Sequence, residues 1–145
     1  MRLNPAFWGR LLISGLVLCT AGGAAAAFPS FQDLVDAAEP HSTLSPPAGT
    51  YAGPVVIDKA LDIDGRGEVT IDAGGRGSVI VVDTDGATLR GLRLTNSGNS
   101  HNDIDAGVQI RGNFNVVKDN RIDNCLFGID MQQSENNIVR RNRIT

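Results

Sequence analysis

The chain has 145 residues, with 13 basic and 16 acidic side chains and a net charge of −3. That length suits one domain, and an acidic balance without any Lys/Arg-rich run argues against nucleic-acid binding. Aromatics are only 5% of the residues while glycine occurs 17 times, which favours a thin core of stacked aliphatics over one built around large rings.

At the N-terminus, Arg2 and Arg10 flank a short basic start, and residues 11–18 (LLISGLVL) are an apolar run. Small residues suited to cleavage come after it in AGGAAAAF. The pattern predicts a signal peptide over 1–27, cut after Ala26 or Ala27, and too short to be a membrane span. The mature chain is then expected in the periplasm, with no membrane span of its own. Leu18 is bulky where lipoprotein processing at Cys19 would want a small residue. Removing the signal leaves 11 basic residues against 16 acidic ones, a charge of −5. Cys125 is then the one cysteine, so an internal disulfide is excluded and packing must hold the fold.

FPSFQDLVDAAEP comes next. Ser30 with Asp33 reads as an N-cap and its partner acid. Phe31, Leu34, Val35 and Ala38 fall on one helical face, and Pro40 ends the segment. The spacing predicts one short amphipathic helix that caps the first turn of a stack of strands.

After SPPAGTYAG the pattern changes to period two. Val55, Ile57, Leu61 and Ile63 alternate with polar residues, and glycine-rich breaks divide the later runs. Strand cores are expected at 89–94, 108–110, 116–122, 129–131 and 138–144. NVVKDNRID (115–123) recurs as NIVRRNRIT (137–145), offset by 22 residues, and TLRGLRLTN is a weaker copy 28 residues upstream. A fixed period in this range marks a solenoid. The hairpin dipeptide Asn-Gly does not occur, and no later stretch reads as a helix. The fold expected is all-β, a right-handed parallel β-helix of about 22 residues per rung, some four rungs tall. Asn120 and Asn142 stand where an apolar residue is due. They are read as a structural ladder, each amide turned inward to hydrogen-bond the asparagine one rung away.

Residues 28–145 resemble right-handed parallel β-helix proteins of the carbohydrate-binding and sugar-hydrolase type. Within that group, the DIDAG region and the repeated N-x-I rungs most resemble the NosD family. The resemblance implies a periplasmic accessory protein that assists assembly of the copper centre of nitrous oxide reductase. It implies that reductase and an inner-membrane ABC transporter as partners, and copper as a cofactor. Members of the family are several hundred residues long, so 28–145 is expected to be the N-terminal part of a longer β-helix.

The six extra residues of the 28-residue offset fall at NSGNSHNDIDAG. Insertions in solenoids map to loops, often on a binding face. If the segment is extended, His101, Asp103 and Asp105 point the same way about 7 Å apart. One imidazole and two carboxylates suit Cu(II), without a soft sulfur for Cu(I). The competing reading is a polar solvated loop. Cys125 and Met131 are the available soft ligands, but each reads first as structural, Met131 as core. His41, beside Pro40, is expected to be exposed. GRGEVTIDAGGRG lacks the helix that a phosphate cradle needs after it, so its glycines are turn residues.

Parallel β-helices also host polysaccharide lyases, hydrolases and epimerases, which need clustered carboxylates. Asp119 and Asp123 become Arg141 and Thr145 one rung on, so no carboxylate ladder forms, and Asp119 with Arg141 reads as a cross-rung salt bridge. The chain is therefore not expected to be an enzyme. A carbohydrate-active protein and a non-catalytic docking scaffold stand as alternatives.

Overall fold

The computed structural model describes residues 27–145. The signal peptide expected over 1–27 lies, up to residue 26, outside the described residues. One helix, α1 (Phe31–Ala37), precedes twelve strands. They are β1 (Thr43–Leu44), β2 (Gly49–Ala52), β3 (Val55–Ile57), β4 (Asp62–Asp72), β5 (Ile80–Val82), β6 (Thr88–Thr95), β7 (Ala106–Ile110), β8 (Val116–Lys118), β9 (Arg121–Asp123), β10 (Phe127–Met131), β11 (Ile138–Arg140) and β12 (Arg143–Ile144).

All strand pairs are parallel. An eight-stranded sheet stacks β1 and β2 on β4, then β6, then β8 and β9, then β11 and β12; a four-stranded sheet stacks β3, β5, β7 and β10. The chain thus winds as a β-solenoid of about four turns, as the repeats predict. Turn length is not constant. Val55 pairs with Ile80 and Ile80 with Val108, whereas Val116 pairs with Ile138, 22 residues on. The strict period belongs to the last turns, and the longer offsets absorb loops that do not disturb the register.

The core is a set of aliphatic columns, because period-two strands in register put like positions directly above one another. Ile57, Val82, Ile110 and Met131 form one column, and Ile71, Leu94, Ile122 and Ile144 another. Each fully buried member contributes about 1.5–3 kcal/mol by leaving water. Met131 corrects the sequence reading. It occupies a core column yet is 54% exposed, since among the described residues no further turn stacks on it.

The larger sheet bends at one place in every turn. Arg66, Gly67, Gly91, Asp119 and Arg141 all have left-handed φ there, between 53° and 76°. At Gly91 a Cβ would also stand 2.7 Å from the Arg66 nitrogen of the turn below, so glycine is needed for close stacking as well as for φ.

Helix α1 seals the opposite end. The Ser30 hydroxyl accepts from Asp33 N–H at 3.3 Å, which makes Ser30 the N-cap. Phe31 and Val35 are fully buried, and Phe31 meets Tyr51 edge-on with centroids 5.5 Å apart. Gln32 substitutes for a neighbouring strand at the β3 edge. Its Oε1 accepts from Val56 N–H (2.7 Å) and its Nε2 donates to Val56 C=O (3.0 Å). An edge that would invite foreign pairing is thereby closed.

Candidate functional site

The inserted loop folds on itself. Residues 101–104 form a turn, and Ile104 has φ 56°. Ser100 organises it: its N–H donates to Asp105 Oδ2 (2.9 Å), and its hydroxyl donates to Asp103 Oδ2 (2.7 Å). Asp105 is 5% exposed and faces inward, while Asp103 and His101 lie on the surface. His101 packs edge-on against Phe127 at 5.9 Å. The premise of an extended segment with three side chains on one side is corrected. The tight turn brings both carboxylates onto Ser100, where they satisfy the loop's own donors, and leaves His101 against Phe127.

Among the described residues no three His, Cys, Asp or Glu side chains gather as a metal-ligand group. Cys125 lies apart, its Sγ 3.3 Å from Asp123 C=O and 4.0 Å from Leu94 C=O. Burial pushes its thiol pKa up, partly offset by Ser97, so the sulfur stays a protonated, weak ligand at neutral pH. Met131 belongs to the uncovered end of its column. These residues therefore do not fit a copper site. His41 is exposed, with left-handed φ.

Asparagines tie the turns together. Asn120 Oδ1 accepts from Leu92 N–H (3.0 Å), and Asn120 Nδ2 donates to Leu89 C=O and to Asn142 Oδ1 (both 3.1 Å). Asn142 Oδ1 also accepts from Asn120 N–H (3.1 Å), and its Nδ2 donates to Val117 C=O (2.8 Å). A second ladder was missed in the sequence reading. Asn115 N–H donates to Asn137 Oδ1, and Asn115 Oδ1 accepts from Ala87 N–H, both at 2.8 Å. The signal was present, since Asn115 and Asn137 keep the same 22-residue offset and open the repeated phrase.

The outward side of the larger sheet carries the charge. Register aligns Asp64, Arg90, Lys118 and Arg140 in one column and Thr70, Arg93, Arg121 and Arg143 in another. Between them, at the bend, runs an axial groove of about 360 Å³ lined in part by Gly67, Gly91, Asn120 and Arg141. Ion pairs cross the turns. Arg93 grips Asp123 with two bonds (2.9 and 3.1 Å), Arg90 grips Asp62 (3.0 and 3.1 Å), and Arg141 grips Asp119 (2.8 and 3.1 Å). The last is the cross-rung bridge read from the sequence. Seven of the eleven cations in 27–145 lie on this side, on β6, β8, β9, β11, β12 and the bend at Arg141. Nothing along the chain announced that gathering, because the cations are spread over more than fifty residues and only register unites them.

Asp123 is held below the usual carboxylate range by its bonds from Arg93, with help from Thr95. A carboxylate lowered on folding stabilises the fold above its unfolded pKa of about 3.9 and loses that contribution as pH falls through the lower folded value. Thermal melting followed from pH 7 to pH 2 should therefore show the Asp123→Asn variant less stable than wild type above about pH 4. The gap should close in stronger acid. A gap independent of pH would contradict this role.

No known family matches the chain, and no solved structure matches it. Among curated proteins it is similar to the "Probable ABC transporter binding protein NosD" of Pseudomonas aeruginosa, 31% identical over 99 residues. The matched segment is 67% of this chain and 23% of that protein, so the chain spans about a quarter of the relative it matches. Fold and comparison together describe a parallel β-solenoid with a partial likeness to a NosD protein.

Proposed function

We propose that the chain belongs to a NosD-like periplasmic accessory protein that, beside an inner-membrane ABC transporter, assists assembly of the copper centre of nitrous oxide reductase. The observation that carries this reading is the 99-residue likeness, supported by the parallel β-solenoid fold. Copper itself is not assigned to these turns, since no three His, Cys, Asp or Glu side chains gather among the described residues. Their contribution is a rigid docking surface, and the reading involves no catalytic step by this chain.

The test is deletion of the gene in its own host during growth on nitrous oxide. The expected result is loss of nitrous oxide reduction, with reductase protein present but deficient in copper, and recovery on returning the gene. Fully loaded reductase in the deletion strain would overturn the proposal.

A further inference from the structure

We propose that the outward side of the larger sheet, on its last two turns, docks an acidic segment of a partner protein. This rests on the docking reading above and names the chemistry of the partner.

The first observation is charge segregation. The described chain carries 16 acidic and 11 basic side chains. On β8, β9, β11, β12 and their bends, however, five cations (Lys118, Arg121, Arg140, Arg141 and Arg143) face only two carboxylates, Asp119 and Asp123. Those two are already engaged, Asp119 by Arg141 and Asp123 by Arg93 and Arg121. The side chains of Lys118, Arg140 and Arg143 have no hydrogen bond or ion pair among the described residues.

The second observation is the register. Lys118 lies directly over Arg90 and under Arg140, and Arg121 lies over Arg93 and under Arg143. Like charges placed directly opposite on adjacent strands destabilise a sheet. Asp62 and Asp64 relieve Arg90, and Asp123 relieves Arg93 and Arg121. The pairs Lys118–Arg140 and Arg121–Arg143 gain no new carboxylate from the last turn, where Asp123 is succeeded by Thr145. Among the described residues this repulsion is left uncompensated, and the carboxylates of a partner would relieve it.

The composition selects a protein. Four of the five cations are arginine, and the neighbouring outward column ends in Ile138, half exposed above Val116. Arginine beside apolar surface, with little lysine, is the make-up of protein interfaces; an anionic lipid surface attracts lysine and arginine alike. The three internal pairs show the geometry on offer, a planar guanidinium gripping both oxygens of a carboxylate. Arg140 and Arg143 are free to repeat it with a partner's Asp or Glu.

The test uses the full chain and a labelled peptide alternating glutamate with leucine. Wild type should bind it with an affinity that falls as salt rises. The Lys118→Glu/Arg140→Glu/Arg143→Glu variant should bind it at least about 10-fold more weakly and should instead bind the lysine–leucine peptide. Arg76→Glu, which removes a cation outside this face, should change nothing. Circular dichroism checks each fold, and the matching glutamine triple variant serves if the glutamate one does not fold. Equal binding of the acidic peptide by wild type and triple variant, or no binding at all, would overturn the inference. So would tighter binding to polygalacturonate or to phosphatidylglycerol vesicles than to the peptide. Copper loading of reductase in a host carrying the glutamine variant separates the two proposals: peptide binding lost with loading intact counts against the assembly role and leaves the acidic-peptide site standing.

Discussion

Replacing Asn120 by alanine is expected to destabilise the chain by about 2–6 kcal/mol, a large share of the roughly 5–15 kcal/mol that holds a domain together. Asn120 is 3% exposed, and its amide serves Leu92 N–H, Leu89 C=O and the Asn142 amide at once. Truncation removes the partner of two main-chain groups in the wall of the solenoid, where water does not readily replace it. Each orphaned group costs about 1–3 kcal/mol. Asn142→Ala should cost less, because Asn142 is only half-buried at the outer turn. Urea unfolding of both variants checks the order. Equal and small effects, within about 0.5 kcal/mol of surface substitutions, would mean that the ladder is ornamental.

The second large effect concerns association. The two ends of the solenoid differ. At the β3 end, α1 buries Phe31 and Val35 in the core and Gln32 satisfies the edge. At the other end Met131, Val139 and Ile144 are 54%, 39% and 54% exposed, although their column partners Ile110, Val117 and Ile122 are fully buried. Their strands also present unpaired main-chain groups, which makes this end a template for pairing with another chain. The chain of residues 27–145 should therefore be oligomeric or poorly soluble on its own. Light scattering should show mass falling toward the monomer when Val139 and Ile144 are replaced by lysine, since charges at an edge discourage pairing. A monodisperse wild-type monomer would contradict the prediction.

Much of the fold was legible in the residues. The 22-residue repeat, the alternation around Val117 and Ile122, and the cap at Ser30 are local patterns, and each has one natural outcome. Period-two apolar residues form half-buried strands, recurrence at a fixed offset stacks them in parallel, and a serine before an amphipathic run starts a helix. The Asp119–Arg141 bridge was legible for the same reason, because a known offset places the two residues one above the other.

What the sequence could not determine is how each loop and each column resolves in space. The alternation of His101, Asp103 and Asp105 suggested one extended ligand face. The loop instead closes around Ser100, since its carboxylates gain more from nearby N–H and O–H donors than from solvent. Met131 has a core residue's pattern and a core column's position, yet its exposure depends on what stacks above it. The cationic face is the clearest case of all. Arg90, Lys118 and Arg140 are scattered along the chain, and so are Arg93, Arg121 and Arg143. Only the register of parallel strands, fixed by the buried aliphatics and asparagines on the inner side, brings their charges into contact on the outer one.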